Sequence, residues 1–307
     1  VLTYKALQDL GIDKPELAAK LPDLVGEGLQ RIYAEQKYDG GWGWWQYSKS
    51  NPVLSAYVLL GLVKAEEADF AVEEQVIDDA VGYLRKQLAS PLTLEHTYQF
   101  NRQAFILYAL AEADAGDLAR SVRLFEDRDQ LSHFGQAYLA MALGIVDKPL
   151  SGASGSSGSE EPSERVKTLL SDLSNAAVLS ATGAHWEEEQ VDYWSMNTDT
   201  RSTAIVIDAF ARLLPEDDIL PNAVRWLMVA RKAGHWETTQ ETAWALIALT
   251  DYMVATGELE ADYSYMLVLN GKMLDQQTVT QENVDQTFEV EVPIVDLLEY
   301  EINRVWV

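Results

Sequence analysis

One segment type recurs five times along this chain, and its repetition constrains the fold more than any other feature. Each copy reads as a small or polar residue, an Ala, an aromatic or aliphatic residue, then an apolar run. The copies begin Ser55-Ala56-Tyr57, Gln103-Ala104-Phe105, Gln136-Ala137-Tyr138, Thr203-Ala204-Ile205 and Thr242-Ala243-Trp244. The repeated alanines are separated by 48, 33, 67 and 39 residues. Self-similarity at a spacing of roughly 20–50 residues marks an array of supersecondary units. These segments are apolar nearly all round, which predicts helices buried on both sides. Between them lie amphipathic, charged stretches: Glu74 to Leu88, Asp117 to Phe125, Ser163 to Leu179 and Asp218 to Arg231. A further helix is expected around Pro22 to Gln36, ahead of the first copy. Alternating buried and half-buried helices form helical hairpins. About six of them closed into a ring give an α/α toroid, and open stacking gives a solenoid. Inner helices rich in Ala, Gly and Leu suit crowded packing round an axis, so the reading is mainly α, an α/α toroid over residues 1–258.

The widest gap has a local cause. Residues 151–164 read SGASGSSGSEEPSE. Gly/Ser-rich chain cannot bury enough apolar area to offset its entropy, so a flexible surface loop is expected, or else an engineered patch. After Gly257 the pattern changes to period two. Tyr263 to Leu269 leads into Asn270-Gly271, a strong hairpin signal, and Thr287 to Val292 and Glu301 to Val307 alternate again. Residues 259–307 are therefore expected to be a partial β segment. That is too little for a stable lone sandwich, so its partner strands are expected to lie before residue 1. The start Val1-Leu2-Thr3 shows neither an initiator Met nor a signal peptide, and reads as an excised fragment.

Composition removes several functions. Lys plus Arg is 23 and Asp plus Glu is 49, a formal charge of −26. Such a surface repels a phosphate backbone and an anionic membrane, so no nucleic-acid partner and no membrane insertion are expected. No apolar run approaches the roughly 20 residues of a membrane span. There is no Cys, hence no disulfide, zinc-thiolate site or cysteine nucleophile.

The loops before inner helices carry a Gly-x-His/Gly-Trp theme: Asp39 to Trp45, Gly183 to Glu187 and Gly234 to Glu237. These aromatics either seal one mouth of the ring or form a platform or shield for a reactive site. Of the histidines His96, His133, His185 and His235, the third and fourth sit in such loops beside acids. Neither has a partner at metal-ligand spacing, so no metal and no cofactor are expected. A general-base role suits either. An α/α-toroid glycosidase or lyase would need two facing carboxylates, with Asp39 and Glu187 or Glu237 as candidates. Asp199 is expected to cap a helix from Arg201 to Leu213.

The series DGGWGWW (39–45), SNPVLSAYVLLGL (50–62), NTDTRSTAIVIDAF (197–210) and HWETTQETAWALIAL (235–249) resembles the thioester domain of bacterial alpha-2-macroglobulin-like proteins. It resembles complement thioester domains more distantly. The resemblance implies an α/α toroid followed by the returning half of a CUB-like sandwich. It implies a broad-spectrum protease inhibitor rather than an enzyme, and an extracellular, periplasmic or cell-surface location. Its partners would be target proteases and other domains of the same chain. In that family a Cys-x-Glu-Gln motif forms a thioester that captures a protease amine. This chain lacks the motif. Ala34-Glu35-Gln36 keeps Glu-Gln only, and by the resemblance the motif would fall just before Val1. The resemblance further implies that Trp42, Trp44, Trp45 and Trp186 shield the reactive bond. His185, 18 residues before Thr203, matches the family's thioester-assisting His. A non-covalent binding toroid and a carbohydrate-active toroid remain as alternative readings.

Overall fold

The computed structural model describes residues 15–89, 93–148, 161–188, 195–257, 262–280, 283, 288–297 and 302–306. Ten α-helices dominate: α1 (Pro15–Glu35), α2 (Pro52–Glu67), α3 (Glu74–Gln87), α4 (Thr97–Glu112), α5 (Leu118–Glu126), α6 (His133–Val146), α7 (Glu164–Ala176), α8 (Asp199–Leu213), α9 (Ile219–Val229) and α10 (Thr239–Thr256). The strands are β1 (Val178–Ser180), β2 (Gly183–His185), β3 (Asp262–Leu269), β4 (Lys272–Thr280) and β5 (Val305–Trp306).

Local chemistry fixes the helix starts. Asn51 accepts from the Leu54 amide at 2.9 Å, with Pro52 at the first helical position. Asp117 does the same for α5 and Thr198 for α8. At α10, Thr238 and Glu241 satisfy each other's backbone amides as a capping box, and Gly257 ends the helix in the left-handed region. Thr198, not Asp199, is thus the cap of α8. Asp199 is the first helical residue, and its carboxylate accepts from the Glu188 amide at 3.0 Å. Helix α1 starts before the expected Pro22, which lies inside it. Proline removes one intrahelical hydrogen bond, a loss that water offsets on an exposed helix.

The five repeat copies are α2, α4, α6, α8 and α10. Each packs on the next in that order. The first and last meet where Trp244 Nε1 donates to the Tyr57 hydroxyl at 3.1 Å. Their apolar residues form one continuous core, with Ala56, Ala104, Ala137, Ala204 and Ala245 fully buried. The amphipathic helices α1, α3, α5, α7 and α9 lie outside, as a one-sided apolar stripe requires. Among the described residues the toroid therefore has five inner and five outer helices. Helix α7 ends at Ala176, short of the expected Leu179, because β1 and β2 form an antiparallel hairpin there. Gly183 in that hairpin has φ +134°, and a Cβ would lie 2.1 Å from the Asn222 carbonyl oxygen, so only glycine fits. The Gly/Ser run expected to be a loop lies outside the described residues as far as residue 160.

Among the described residues the tail is a three-stranded antiparallel sheet, ordered β4-β3-β5. Asn270 and Gly271, both at positive φ, make the hairpin turn as expected. Its return strand is β4, whose polar KMLDQQTVT sequence masked the strand pattern. The alternating run at 288–292 is not a strand. Alternation supplies a face but no ladder partner, and Pro293 removes a donor.

Candidate functional site

In four of the five copies the residue after the repeated Ala is aromatic and points to the ring axis. Tyr57, Phe105, Tyr138 and Trp244 meet there, with ring centroids 4.6 Å (Tyr57–Phe105), 4.8 Å (Phe105–Tyr138) and 5.4 Å (Tyr138–Trp244) apart. Buried Arg201, one turn ahead of Ile205, donates to the hydroxyls of Tyr57 and Tyr138 and lies over the Phe134 ring. Apart from Phe105, near the middle of α4, these lie in the N-terminal halves of inner helices, so the inner helices run parallel and their N-termini share one mouth. Burial drives the Tyr138 phenol well above its usual pKa, so it stays protonated.

The Gly-Trp loops are seam latches between hairpins. Trp42 Nε1 donates to Ile32 O near the end of α1 at 2.8 Å, and its backbone N–H donates to Ser55 Oγ at 2.9 Å. Trp186 repeats both contacts, Nε1 to Leu173 O at 2.8 Å and N–H to Thr203 Oγ1 at 3.1 Å. Trp236 Nε1 donates to Leu227 O at 2.9 Å, and its carbonyl accepts from Thr242 Oγ1. The hydroxyls belong to the small polar residue before each repeated Ala. In the two copies without a Gly-Trp loop that position is Gln. Gln103 bridges the Ala89 amide and Gln87 O, and Gln136 donates to Arg128 O. A single sequence position thus ties each inner helix to the chain that leads into it from the preceding outer one.

The expected site residues separate accordingly. Trp42 and Trp186 are buried in seams, whereas Trp44 and Trp45 are exposed beside Tyr38 and Tyr47. His185 stacks on Trp226 of α9 with ring centroids 4.5 Å apart, and its Nε2 lies 3.0 Å from Glu187 Oε1. Asp39 is spent on its own loop, accepting from Gly41 N and Ser50 Oγ. Asp39, Glu187 and Glu237 belong to three different inter-hairpin loops. His133 starts α6 with its Nδ1 3.6 Å from Glu188, which accepts from the His133 and Phe134 amides. His235 bonds the Trp236 carbonyl. Among the described residues no group of three His, Cys, Asp or Glu side chains could hold a metal.

At the opposite end of the axis, Glu112 accepts from Lys64 and Arg212, and Arg212 also donates to Tyr108. Asp208, one turn before Arg212, is fully buried, and its carboxyl group lies close to that of Asp251. Burial, with the Asp251 and Glu112 charges and against the pull of Arg212, raises its pKa well above the carboxylate range. A raised folded pKa means that the native state holds a proton the unfolded state has lost. Stability from this group is therefore full below the unfolded pKa, about 4, and falls as pH rises toward the folded value. Asp208→Asn, which keeps the neutral form, is expected to raise the melting temperature at pH 8 and leave it nearly unchanged at pH 4. Melting curves at the two pH values check this, and equal shifts at both refute it.

No protein-family model matches the chain. An alpha-2-macroglobulin homolog of a Nostoc species is 25% identical over 236 residues, 75% of this chain and 12% of that protein. Thioester-containing protein 1 (allele S1) of Anopheles gambiae is 22% identical over 322 aligned positions, 99% of this chain and 22% of that protein. Its homologues are alpha-2-macroglobulins and thioester-containing proteins. Salmonella alpha-2-macroglobulin reacted with methylamine shares the fold with TM-score 0.63 and 18% identity, over 90% of this chain and 17% of that one. Escherichia coli alpha-2-macroglobulin activated by porcine elastase does so with TM-score 0.60 and 19% identity, over 90% and 24%. The chain spans from 4% to 22% of the length of the curated relatives it matches. Its fold is the α/α toroid that these structures share, followed by a short sheet.

Sequence reasoning missed the axial residues of this toroid. The signal was present, since an aromatic follows the repeated Ala in four of the five copies. Arg201 carried a weaker one, as a charged residue in the first turn of an inner helix.

Proposed function

We propose that this region is the capture domain of a protease-trapping protein, acting as an inhibitor and not as an enzyme. The observation that carries the reading is the shared fold with bacterial alpha-2-macroglobulin over 90% of the chain. One similar structure is of a protein activated by elastase and another of a protein reacted with methylamine, an amine like the lysine side chain. The domain has no cysteine, so a thioester cannot form within these 307 residues. A covalent trap would take its sulfur from elsewhere in the protein. Export to the periplasm or cell exterior belongs to the same proposal, and no described helix is long and apolar enough to cross a membrane.

The test is to mix the full-length protein with trypsin or elastase. Covalent capture gives a protease adduct that survives boiling in detergent and disappears after methylamine pretreatment. A shielded but non-covalent complex leaves cleavage of small substrates intact while cleavage of proteins falls. Unimpaired proteolysis of both substrate classes sinks the proposal.

For His185 the proposal is a thioester-assisting role. Its ring must leave Trp226 and Glu187 before Nε2 reaches an acyl carbonyl. In the full-length protein, His185→Ala is expected to lower ester formation with glycerol by about tenfold or more, within the usual range for removing a general base, and to spare amide formation with methylamine. Equal loss of both, or of neither, removes His185 from the chemistry.

A further inference from the structure

A cavity of about 70 Å³ opens at the mouth where the inner helices begin. Its walls are largely apolar: Val53, Tyr98, Phe105, Phe134 and Tyr138. Two guanidinium groups, those of Arg102 and Arg201, line it. No acidic side chain does so among the described residues, in a chain where acids outnumber bases 49 to 23. The two asparagines at the cavity are already engaged, Asn51 with the Leu54 amide and Asn101 with Ser132 through both amide atoms. Arg102 differs. Its Nε is buried and has no hydrogen-bond partner. Arg102 as a whole is half-buried, and a donor left without an acceptor carries a desolvation cost that a ligand acceptor lowers.

We propose that this cavity binds a carboxylate carried on a short apolar stem, gripped by Arg102. A guanidinium matches a carboxylate with two parallel hydrogen bonds. The N-terminus of α2 at the rim, where Asn51 and Pro52 line the cavity, adds partial positive charge. Arg201 beneath contributes its charge from between Tyr57 and Tyr138. The aromatic walls take the stem. At roughly 10–15 Å³ per water-sized position, the volume suits a group the size of a glutamate side chain. Both a free short-chain acid and an acidic side chain of a polypeptide offer this chemistry. The site stands whether or not the protein traps proteases.

Calorimetric titration of this chain with propionate, N-acetylglutamate amide and N-acetylglutamine amide tests it. Binding of the carboxylates, with the neutral glutamine compound at least tenfold weaker, is the expected result. Tighter binding of the glutamate compound assigns the site to a polypeptide side chain, and the reverse order assigns it to a free acid. Arg102→Gln is expected to weaken carboxylate binding at least tenfold without lowering the melting temperature, and Arg102→Lys to fall between, since it keeps the charge and loses the fork. Equal affinity for the glutamine compound, or unchanged binding by Arg102→Gln, overturns the proposal. So does absence of binding by every compound to the folded chain.

Discussion

Trp186→Ala is expected to destabilise the toroid by about 4 kcal/mol, the range for truncating a buried tryptophan. Trp186 is 0% exposed and fills the seam between α7 and α8. Its loss opens a cavity and also strands Leu173 O, which accepts from Nε1. Trp45→Ala, at a residue 78% exposed in a loop of the same sequence theme, is expected to change stability by less than about 0.5 kcal/mol. Chemical denaturation of both variants measures the difference. A cost for Trp186→Ala below about 1 kcal/mol would show that the seam closes without its latch.

Glu112→Ala should cost a comparable amount, about 3–5 kcal/mol, because it breaks a buried ion pair by removing one partner. The Glu112 side chain is 3% exposed and is shared by Lys64 and Arg212, which stay behind near the axis without their carboxylate. The deficit is expected to depend on pH. Burial pushes the Glu112 pKa up, but Arg212 and Lys64 outweigh it and hold the carboxyl below its ordinary value. A depressed folded pKa gives stability that is present above the unfolded pKa, about 4.3, and is lost as pH falls through the folded one. The gap between wild type and Glu112→Ala is therefore expected to narrow on acidification. Asp208, with its pKa raised, tilts the other way. Denaturation curves across pH 3–8 for both variants should give slopes of opposite sign, and slopes of the same sign would mean that the protonation states are assigned wrongly.

The helices were legible because each repeat carries its own instructions. The apolar run after Ala56, Ala104, Ala137, Ala204 and Ala243 signals burial on both sides, and caps such as Asn51-Pro52 and Thr238 to Glu241 act within one turn. Strand β4 and the β1–β2 hairpin were illegible for the converse reason. Their stability comes from pairing with a neighbour, and KMLDQQTVT has too few apolar positions to announce a face. The site residues show the same division. Trp42, Trp44 and Trp45 read as one cluster in sequence, yet Trp42 is locked under Ile32 O and Ser55 while the other two face solvent. Spacing of three residues along a loop, unlike spacing on a helix, says nothing about direction.

By itself the sequence determined a mainly helical chain of alternating buried and half-buried helices, with a switch to strands near residue 260, an acidic surface and no thiol chemistry of its own. Those are local or additive properties, set by periodicity, capping and charge. Only the tertiary structure decided that Tyr57, Phe105, Tyr138 and Trp244 converge on Arg201, and that His185 lies against Trp226. It also decided that Arg102 lines a cavity with no acidic side chain among the described residues. These contacts join residues as much as 187 positions apart, as between Tyr57 and Trp244. No local pattern encodes that distance, because closing the ring depends on every helix packing on the next.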